Sequence, residues 1–560
     1  MRNVLYLVAS CLKATPPVGA PGSRHSLPLT WDHIYSGVEL APQTKSEYIV
    51  SAALERNQES SMTSGINRRE FLKITAGAVA AQAIPTSAIA ASSRTIGIQV
   101  GAISFVDEGT EKVLDILQER GSVNTLFLAV FTYGRGIAGR QIPGQPLPDH
   151  GKQEYDLNFH GGNFATPHPE FYKNTVLKDT RAPDHGNLDI LAEVLPAAKK
   201  RGMKVICWLE DVFRTDLPDI GKVQERDLYG RNAETLCVNN PDYRNFLTGL
   251  VEDYSRSYDI DGIMWGSERQ GALCDSLGAT HDTPPVDPDK VTCFCEFCQK
   301  KAKERGINPE RAKQGFLELE KFVRASRSGK RPVDGYYVQF WRLLLRYPEL
   351  AAWEMLWTDS LRETYAAIYK TVKTAKPSLP VGWHIWHNNS FNPIYRAEQD
   401  LHELSNYSDF IKVVMYNNCG GERMGLYADN AGSTLYADLT KQGLLDFNYA
   451  VMGFKENSYD QIPHTGLSAD YVYRETKRAL EGVAGTKTLI WPGIDIDIPT
   501  EPNHSKCTRK SVKAAVQAAF RAGAPGVILS RKYSEMRLDD LSGAGDANRE
   551  LKLADLRGFR

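Results

Sequence analysis

Eight short apolar runs alternate with longer amphipathic stretches along most of this chain. The runs are rich in valine, isoleucine and aromatic residues and nearly continuously apolar, as strands are when both faces of a parallel sheet are buried. Eight successive strand–helix units predict a (β/α)8 barrel, and a doubly wound open sheet is the alternative. The runs span residues 95–105, 123–134, 204–211, 261–268, 380–388, 409–417, 487–497 and 526–535.

The stretches between the runs carry helical signals. Residues 188–202 place an apolar stripe at helical spacing before a last turn rich in Lys and Arg, and Gly202 ends the pattern. Residues 242–258 and 509–523 repeat this pattern. Neither GxGxxG nor GxxxxGK[ST] follows a run, which weakens the nucleotide-binding form of the open sheet. We expect no organic cofactor.

The strand–helix units are unevenly spaced. A long stretch rich in Gly, Pro and His, from residue 134 to about 186, follows the second run. The insertion after the fourth run, about 269–379, exceeds a hundred residues. Because barrel active sites are built from the loops that follow the strands, these two insertions should shape a substrate cleft.

The N-terminal region resembles a twin-arginine export signal over residues 62–91. It contains NRREFLK, then an Ala-rich apolar stretch, and Ala88-Ile89-Ala90 has the form of a cleavage site. Because such signals begin close to a start methionine, Met62 predicts that residues 1–61 are a spurious or disordered extension. The folded part, 92–560, is then expected in the periplasm or outside the cell.

Charge and hydropathy exclude several kinds of partner. The formal net charge is -1, which gives no overall attraction to nucleic acid or to anionic membranes. Away from the N-terminus, no apolar run reaches the ~20 residues that a membrane-spanning helix needs. We therefore expect no nucleic-acid partner and no stable membrane span, with recognition that is local and based on shape.

Polar residues follow the runs, where the carboxyl ends of barrel strands would meet. Glu268 is the leading catalytic candidate, because it follows an apolar run directly after Gly266 and Ser267. Paired carboxylates facing one cleft suit cleavage of glycosidic bonds, and aromatic faces with neutral polar groups suit sugars. The remaining site candidates are Glu210, Asp211, Arg269, His384, His387, Tyr416, Asn417, Trp491, Asp495, Asp497 and Glu535.

Each candidate also has a structural alternative. A carboxylate at a strand end can pair with an arginine or cap the next helix, and a tryptophan inside a strand can belong to the core. His384 and His387 are three residues apart on a predicted strand and should point to opposite faces, which argues against both binding one metal ion.

A cysteine pattern surrounds the strand that ends at Glu268. Cys237 precedes NNPDYR and a helical stretch, the strand follows, and then comes CFCEFC at 293–298. This order resembles glycoside hydrolase family 42, the microbial beta-galactosidases, and related barrel families. The resemblance implies that Glu268 is the general acid/base. It also implies a structural Zn²⁺ held by Cys237, Cys293, Cys295 and Cys298.

Four thiolates without an open position suit a closed, tetrahedral zinc site. Cys274 is a competing fourth ligand, nearer in sequence to CFCEFC. Cysteines without metal, reduced or disulfide-bonded, and an iron–sulfur cluster are the alternatives to zinc.

The sequence also departs from the family. Ser267 stands where the family has an Asn that contacts the sugar 2-hydroxyl, so a galactoside substrate is only the family default. The family's nucleophile is a Glu ending strand 7, where this chain offers Asp495, the leading candidate, and Asp497, with Glu535 after strand 8 as a further choice. The resembled family often forms trimers, which leaves a homo-oligomer open.

Three functions follow from these features. The first is an exported glycoside hydrolase that cleaves a carbohydrate substrate with a carboxylate pair. The missing strand-7 Glu motivates the second, a carbohydrate-binding barrel without catalysis. The cysteines motivate the third, an iron–sulfur redox protein.

Overall fold

The computed structural model describes residues 94–132, 139–156, 159–211 and 215–558. The predicted extension and export signal lie outside these residues. Ser92–Arg560 forms one compact unit. Within the described ranges, no helix is both long enough and apolar enough to cross a membrane.

The strands of the described residues run parallel in one large sheet, apart from β3, which pairs antiparallel with β2, and the β5–β6 hairpin. Their bounds are β1 Thr95–Gly101, β2 Thr125–Thr132, β3 Gly162–Asn163, β4 Lys204–Glu210, β5 Gln224–Arg226, β6 Asn232–Leu236, β7 Gly262–Gly266, β8 Val381–Ile385, β9 Phe410–Val413, β10 Leu489–Ile490, β11 Gly493–Asp495 and β12 Gly526–Ser530.

The large sheet curls into the predicted barrel. Its strand order is β10-β9-β8-β7-β4-β2-β1-β12-β11. The seventh barrel position is divided at Trp491 and Pro492, so that β10 pairs with β9 and β11 pairs with β12. A parallel bridge between Val414, directly after β9, and Gly493 of β11 closes the circle of strands. Each of the eight apolar runs contains its expected strand, which confirms the fold class.

Helices cover the outside of the barrel and build the insertions. In the described residues they are α1 Ala102–Glu108, α2 Thr110–Gly121, α3 Ile190–Lys200, α4 Pro241–Ser257, α5 Ala272–Ser276, α6 Glu296–Glu304, α7 Pro309–Arg327, α8 Tyr336–Arg346, α9 Glu349–Ala375, α10 Pro393–Glu398, α11 Leu401–Leu404, α12 Asn418–Gly432, α13 Lys441–Met452, α14 Ile462–Thr465, α15 Ala469–Gly482, α16 Arg509–Arg521 and α17 Leu538–Gly558.

The three helices predicted from sequence begin at identifiable caps. The side chain of Asp189 accepts a hydrogen bond from the Ala192 amide at the start of α3. Asn240 caps α4, where Pro241 occupies the first helical position. Thr508 forms a reciprocal capping box with Ser511 at the start of α16. Such caps satisfy amide groups that have no partner within the helix, so the local sequence sets these boundaries.

The two predicted insertions are present, after β2 and, with helices α5 to α9, after β7. Two further additions were not predicted. The β5–β6 hairpin follows β4, and helices α12 to α15 fill the connection between β9 and β10. The carboxyl end of the barrel is therefore surrounded by additions after four of its strands.

Candidate active site

An apolar plug fills the lower part of the barrel. The rings of Phe410 and Trp491 stack there with centroids 4.4 Å apart, and Phe127 packs edge-on against both. Side chains alternate between the two faces of a strand, so the residue two positions after a plug residue also points inward, one layer closer to the carboxyl end. The buried plug consists of Phe127, Ala129, Ile206, Trp208, Met264, Phe410, Trp491 and Ile528.

A polar layer lies directly above this plug. Glu210 is two residues after Trp208, and Lys412 is two residues after Phe410. Gly382 stands on the inward face of β8, because a Cβ there would lie 2.2 Å from the Phe410 ring. The inward residues of this layer include Gln99, Glu210, His384, Lys412 and Ser530.

Glu268 sits at the mouth of this layer, two residues after β7. Its Oε1 lies 2.7 Å from Nε2 of His384. The Glu268 side chain is 51% exposed although His384 beside it is 5% exposed, so solvent reaches the carboxylate. Partial desolvation opposes its charged form, but the hydrogen bond with His384 and the charges of His384, Arg423 and Lys412 lower the pKa of Glu268 to about 2.

His384 is the hydrogen-bond donor in this contact. Burial lowers the pKa of His384, and the charge of Lys412 lowers it further, whereas the contact with Glu268 raises it. A neutral imidazole donates from one nitrogen only, and the carboxylate of Glu268 can only accept. The proton therefore lies on Nε2, and His384 orients the carboxylate.

Glu210 is the second carboxylate of the cleft. It ends β4, next to β7 in the barrel, and pairs in register with Gly266. Thr132 donates a hydrogen bond to its Oε2. Burial raises the pKa of Glu210 to about 8 against this hydrogen bond, and the negative charge of Glu268 contributes to the rise. Glu210 therefore holds a proton at neutral pH while Glu268 is ionised.

Lys412 lies beneath both carboxylates, with none of its surface exposed. Its Nζ donates to Oε1 of Gln99 at 2.5 Å and to the hydroxyl of Tyr416 at 3.1 Å. Ser530 donates to the same Gln99 oxygen at 2.7 Å. Burial lowers the pKa of Lys412 to about 7, although the negative charge of Glu268 opposes this. Among the residues that the structure describes, no carboxylate contacts this amine.

The strand-7 aspartates and Glu535 lie in structural contacts. Asp495 is fully buried, and its oxygens accept from the amides of Asn417 and Cys419 at 2.9 Å, which caps α12. Asp497 pairs with Arg537 at 2.8 Å. Glu535 is also buried and accepts from Nε of Arg531 at 3.1 Å. This placement does not favour the nucleophile or base role predicted for these three residues.

Asp211 and Arg269 brace the strand ends and do not line the cleft. Asp211 is buried and accepts from Tyr243 at 2.8 Å, from Ser267 at 2.5 Å and from Nε of Arg269 at 2.9 Å. Arg269 also pairs with Glu225 of the β5–β6 hairpin at 3.3 Å. This network fixes the loop that carries Glu268. Sugar binding was the role predicted for Asp211 and Arg269, and their contacts do not favour it.

The other predicted sugar-binding residues are divided between core and cleft edge. Trp491 is in the plug, with its ring stacked on Phe410. Asn417 is buried beside Asp495. His387 is fully buried, with its Nε2 3.2 Å from the hydroxyl of Tyr471. Tyr416 lies next to Lys412, at the edge of the cleft. Of the predicted set, only Glu210 and His384 are placed beside Glu268.

Sequence reasoning missed the cations of the site. Lys412 is a charged residue inside an otherwise apolar run, DFIKVVMYN, at an inward position, and this was a usable signal. Arg423 lies on a helix after the sixth strand, and nothing near it in sequence marks its position. Arg531 directly follows the eighth strand, and this position was also a usable signal.

The four cysteines that the resemblance selected come together. The Sγ atom of Cys237 lies 3.4 Å from that of Cys295 and 3.6 Å from that of Cys298. With Cys293, all four sulfur atoms lie within 4.8 Å of one another and are buried. A tetrahedral zinc ion with ligands at about 2.3 Å places its sulfur atoms ~3.8 Å apart, so the donor set fits zinc.

The competing ligand Cys274 is elsewhere. It lies in a separate buried group with Glu354 and Glu398. In the four-sulfur group, Asn239 donates to the Cys298 sulfur at 3.3 Å, as outer groups around thiolate ligands do. Cys237 follows the β5–β6 hairpin, and Cys298 is in α6, so the group connects the additions after β4 and β7.

Fold and cleft together define a (β/α)8 barrel that presents one ionised and one protonated glutamate at its carboxyl end. No protein-family model matches the chain, and no curated protein matches it by sequence.

Solved structures of glycoside hydrolases are similar to the chain. The alpha-L-fucosidase isoenzyme 2 of Paenibacillus thiaminolyticus is 13% identical, covering 82% of this chain and 49% of its own, with a TM-score of 0.43. A beta-galactosidase of Halorubrum lacusprofundi is 14% identical, covering 81% and 57%, with a TM-score of 0.45. The chain thus spans about half the length of these two proteins. The PgaB (BpsB) glycoside hydrolase domain of Bordetella bronchiseptica is 12% identical, covering 82% and 98%, with a TM-score of 0.43.

Proposed function

We propose that this protein is a glycoside hydrolase whose carboxylate pair is Glu210 and Glu268. One observation carries the proposal. Two glutamates from adjacent strands face the same cleft, and their surroundings move their pKa values apart, to about 8 and about 2. Such a split is how a site obtains one carboxylic acid and one carboxylate at the same pH. Glycoside hydrolysis needs this combination.

The roles follow from the protonation states. Glu210, which holds its proton at neutral pH, protonates the leaving glycosidic oxygen as the bond to the anomeric carbon breaks. Glu268, which is ionised, either attacks that carbon or takes a proton from an attacking water. A general acid must carry a proton before transfer, so a pKa of about 2 does not suit Glu268 for the acid role that the family resemblance implies.

The test is turnover by the purified protein of a broad panel of aryl glycosides and oligosaccharides. Released phenol and new reducing ends measure turnover, and the anomer formed first, followed by NMR, separates retention from inversion. Glycan binding without product across the panel would instead support the carbohydrate-binding barrel. Glu403→Gln, which changes an exposed carboxylate paired with Arg362, controls for charge loss outside the cleft.

His384 should set the acid side of the pH profile. In His384→Phe the hydrogen bond to Glu268 is lost, so the pKa of that carboxylate should rise from about 2 toward its ordinary value of 4.5. Because the ionised form is the active one, kcat/KM should then decline as the pH falls through about 4 to 5, where the unmodified protein keeps its rate. If the pH profile of kcat/KM has the same acid side in both proteins, His384 does not control the ionisation of Glu268.

We also infer that Cys237, Cys293, Cys295 and Cys298 bind a structural zinc ion. Metal analysis should find about one zinc per chain, and Cys295→Ser should lower this to near zero and reduce the unfolding temperature, because binding energy of a structural metal is folding energy. Cys507→Ser, at a buried cysteine outside the group, is the matched control. Iron with visible colour would support the iron–sulfur alternative, and equal zinc in both variants would contradict the assignment.

Export by the twin-arginine route remains our proposal for the location of the protein. This route carries folded proteins, so the metal could be bound before export. Fusion of residues 62–91 to a reporter should deliver it to the periplasm, and replacement of Arg68 and Arg69 by lysine should retain it inside the cell.

A further inference from the structure

Arg423 holds a positive charge at the edge of the proposed cleft. It lies in α12, which follows the sixth barrel strand. Its Nη1 lies 3.1 Å from Nδ1 of His387, and its guanidinium lies 5.7 Å from the centre of the Tyr416 ring. Burial lowers the pKa of His387 well below its ordinary value, so this imidazole is neutral and accepts the hydrogen bond. Two neutral groups therefore hold the guanidinium in place.

No carboxylate of the described residues lies within ion-pair distance of Arg423, although the other cleft arginine has one. Arg531 is paired with Glu535. Glu268 is close enough to Arg423 for their charges to interact, but its hydrogen bond is to His384. A guanidinium has five N–H donors in a planar fork that matches the oxygens of a carboxylate or a sulfate. In Arg423, one of these groups is bound to His387.

The charges of the cleft also favour the binding of an anion. At neutral pH Glu210 holds a proton, and Glu535 is shared between Arg531 and Lys532. Glu268 is then the remaining anion among these groups, opposite the charge of Arg423 and the partial charge of Lys412. Among these groups the positive charges exceed the negative ones, although the whole chain has a net charge of -1. Such a cleft concentrates anions.

We propose that the substrate is an anionic glycan and that Arg423 binds its carboxylate or sulfate group. This proposal rests on the proposed glycosidase function for the identity of the cleft. The ligand class is a sugar bearing an acidic group near the bond that is cleaved. A uronic acid and a sulfate ester share this chemistry, and the experiment separates them.

The experiment compares matched substrates on the full protein. The aryl glucuronide and galacturonide are paired with the glucoside and galactoside, and 6-sulfated glycosides form a third arm. We expect kcat/KM to favour one acidic arm over its neutral partner by about 100-fold, because a site built for a polar group discriminates strongly against its absence. The favoured acidic arm identifies carboxylate or sulfate.

Arg423→Met should remove that preference, so that the ratio of acidic to neutral kcat/KM falls to near one, mainly through KM for the acidic substrate. Arg423→Lys should restore part of it. Arg331→Met, at an exposed arginine paired with Asp438, should keep the preference of the unmodified protein. A neutral substrate that is preferred from the start, or an unchanged ratio in Arg423→Met, would overturn the proposal.

A binding measurement separates this proposal from the proposed function. Calorimetric titration with glucuronate, glucose 6-sulfate and glucose needs no turnover. Arg423-dependent binding of an acidic sugar without hydrolysis of any substrate would support the anionic ligand and contradict the glycosidase. Hydrolysis with equal binding of acidic and neutral sugars would support the glycosidase and contradict the anionic ligand.

Discussion

Glu268→Gln is expected to lower kcat by about 10⁴-fold or more, even on aryl glycosides with good leaving groups. Glutamine keeps the size of the side chain and its contact with His384, but it has no negative charge to attack the anomeric carbon or to activate water. Removal of a nucleophile or its activating group costs about this much in other hydrolases. A good leaving group does not help, because the missing step is on the other side of the reacting carbon.

Initial rates and thermal unfolding should be measured on the same preparation. Glu268 is half exposed at the mouth of the barrel, so the substitution should leave the unfolding temperature nearly unchanged. If Glu268 is the nucleophile, azide should restore turnover of aryl glycosides by attacking the anomeric carbon as phenolate leaves. Retention of more than a tenth of the activity in Glu268→Gln would contradict the assignment.

Glu210→Gln is expected to show a different pattern, with a loss that depends on the leaving group. Loss of a general acid typically costs about 10²–10⁴-fold. The larger loss should fall on natural oligosaccharides, whose leaving oxygen needs a proton, and the smaller loss on aryl glycosides with acidic phenols. A loss of equal size across the leaving-group series would show that Glu210 is not the proton donor.

The same variant should change the alkaline side of the pH profile. In the unmodified protein Glu210 is active when protonated, and its pKa is about 8. The value of kcat/KM should therefore stay level up to about pH 7 and fall as the pH rises through 8. Because glutamine does not titrate in this range, the fall should disappear in Glu210→Gln. Persistence of the fall would place its cause in another group, such as Lys412 with its pKa of about 7.

The strands could be predicted because a strand that is buried on both faces has a continuous apolar run in its own sequence. Each of the eight runs contains a barrel strand. Trp208 and Phe410 point into the barrel, and the residues two positions later, Glu210 and Lys412, also point inward. The division of the seventh strand was not predictable in this way. It depends on β9 and β12 pairing with different halves of the same run.

The roles of the side chains were harder to predict, because they depend on partners far away in sequence. Asp495 ends a barrel strand as a catalytic residue would, yet it caps a helix that begins 77 residues earlier at Asn418. Asp211 has its acceptor positions filled by Tyr243 and Arg269. Nothing within a few residues of either aspartate distinguishes it from Glu210.

The cysteine ligands were also hard to predict, because they come together from positions far apart in sequence. Cys274 is nearer than Cys237 to CFCEFC in sequence, but α5 carries it to Glu354 and Glu398. Cys237 reaches the group from 56 residues before Cys293 because the β5–β6 hairpin folds back toward α6. The choice between these two ligands came from the family resemblance, because proximity in sequence favoured Cys274.

The most direct test of the account is a crystal structure of the protein with a bound monosaccharide or a cationic sugar analogue. The account predicts that the anomeric carbon lies between the carboxyl groups of Glu210 and Glu268, with Glu210 on the side of the leaving oxygen. Carboxyl groups ~5–5.5 Å apart would indicate retention, and ~6.5–9.5 Å inversion. A sugar whose anomeric carbon lies away from this pair, beside Asp497 or Glu535, would contradict the central claim.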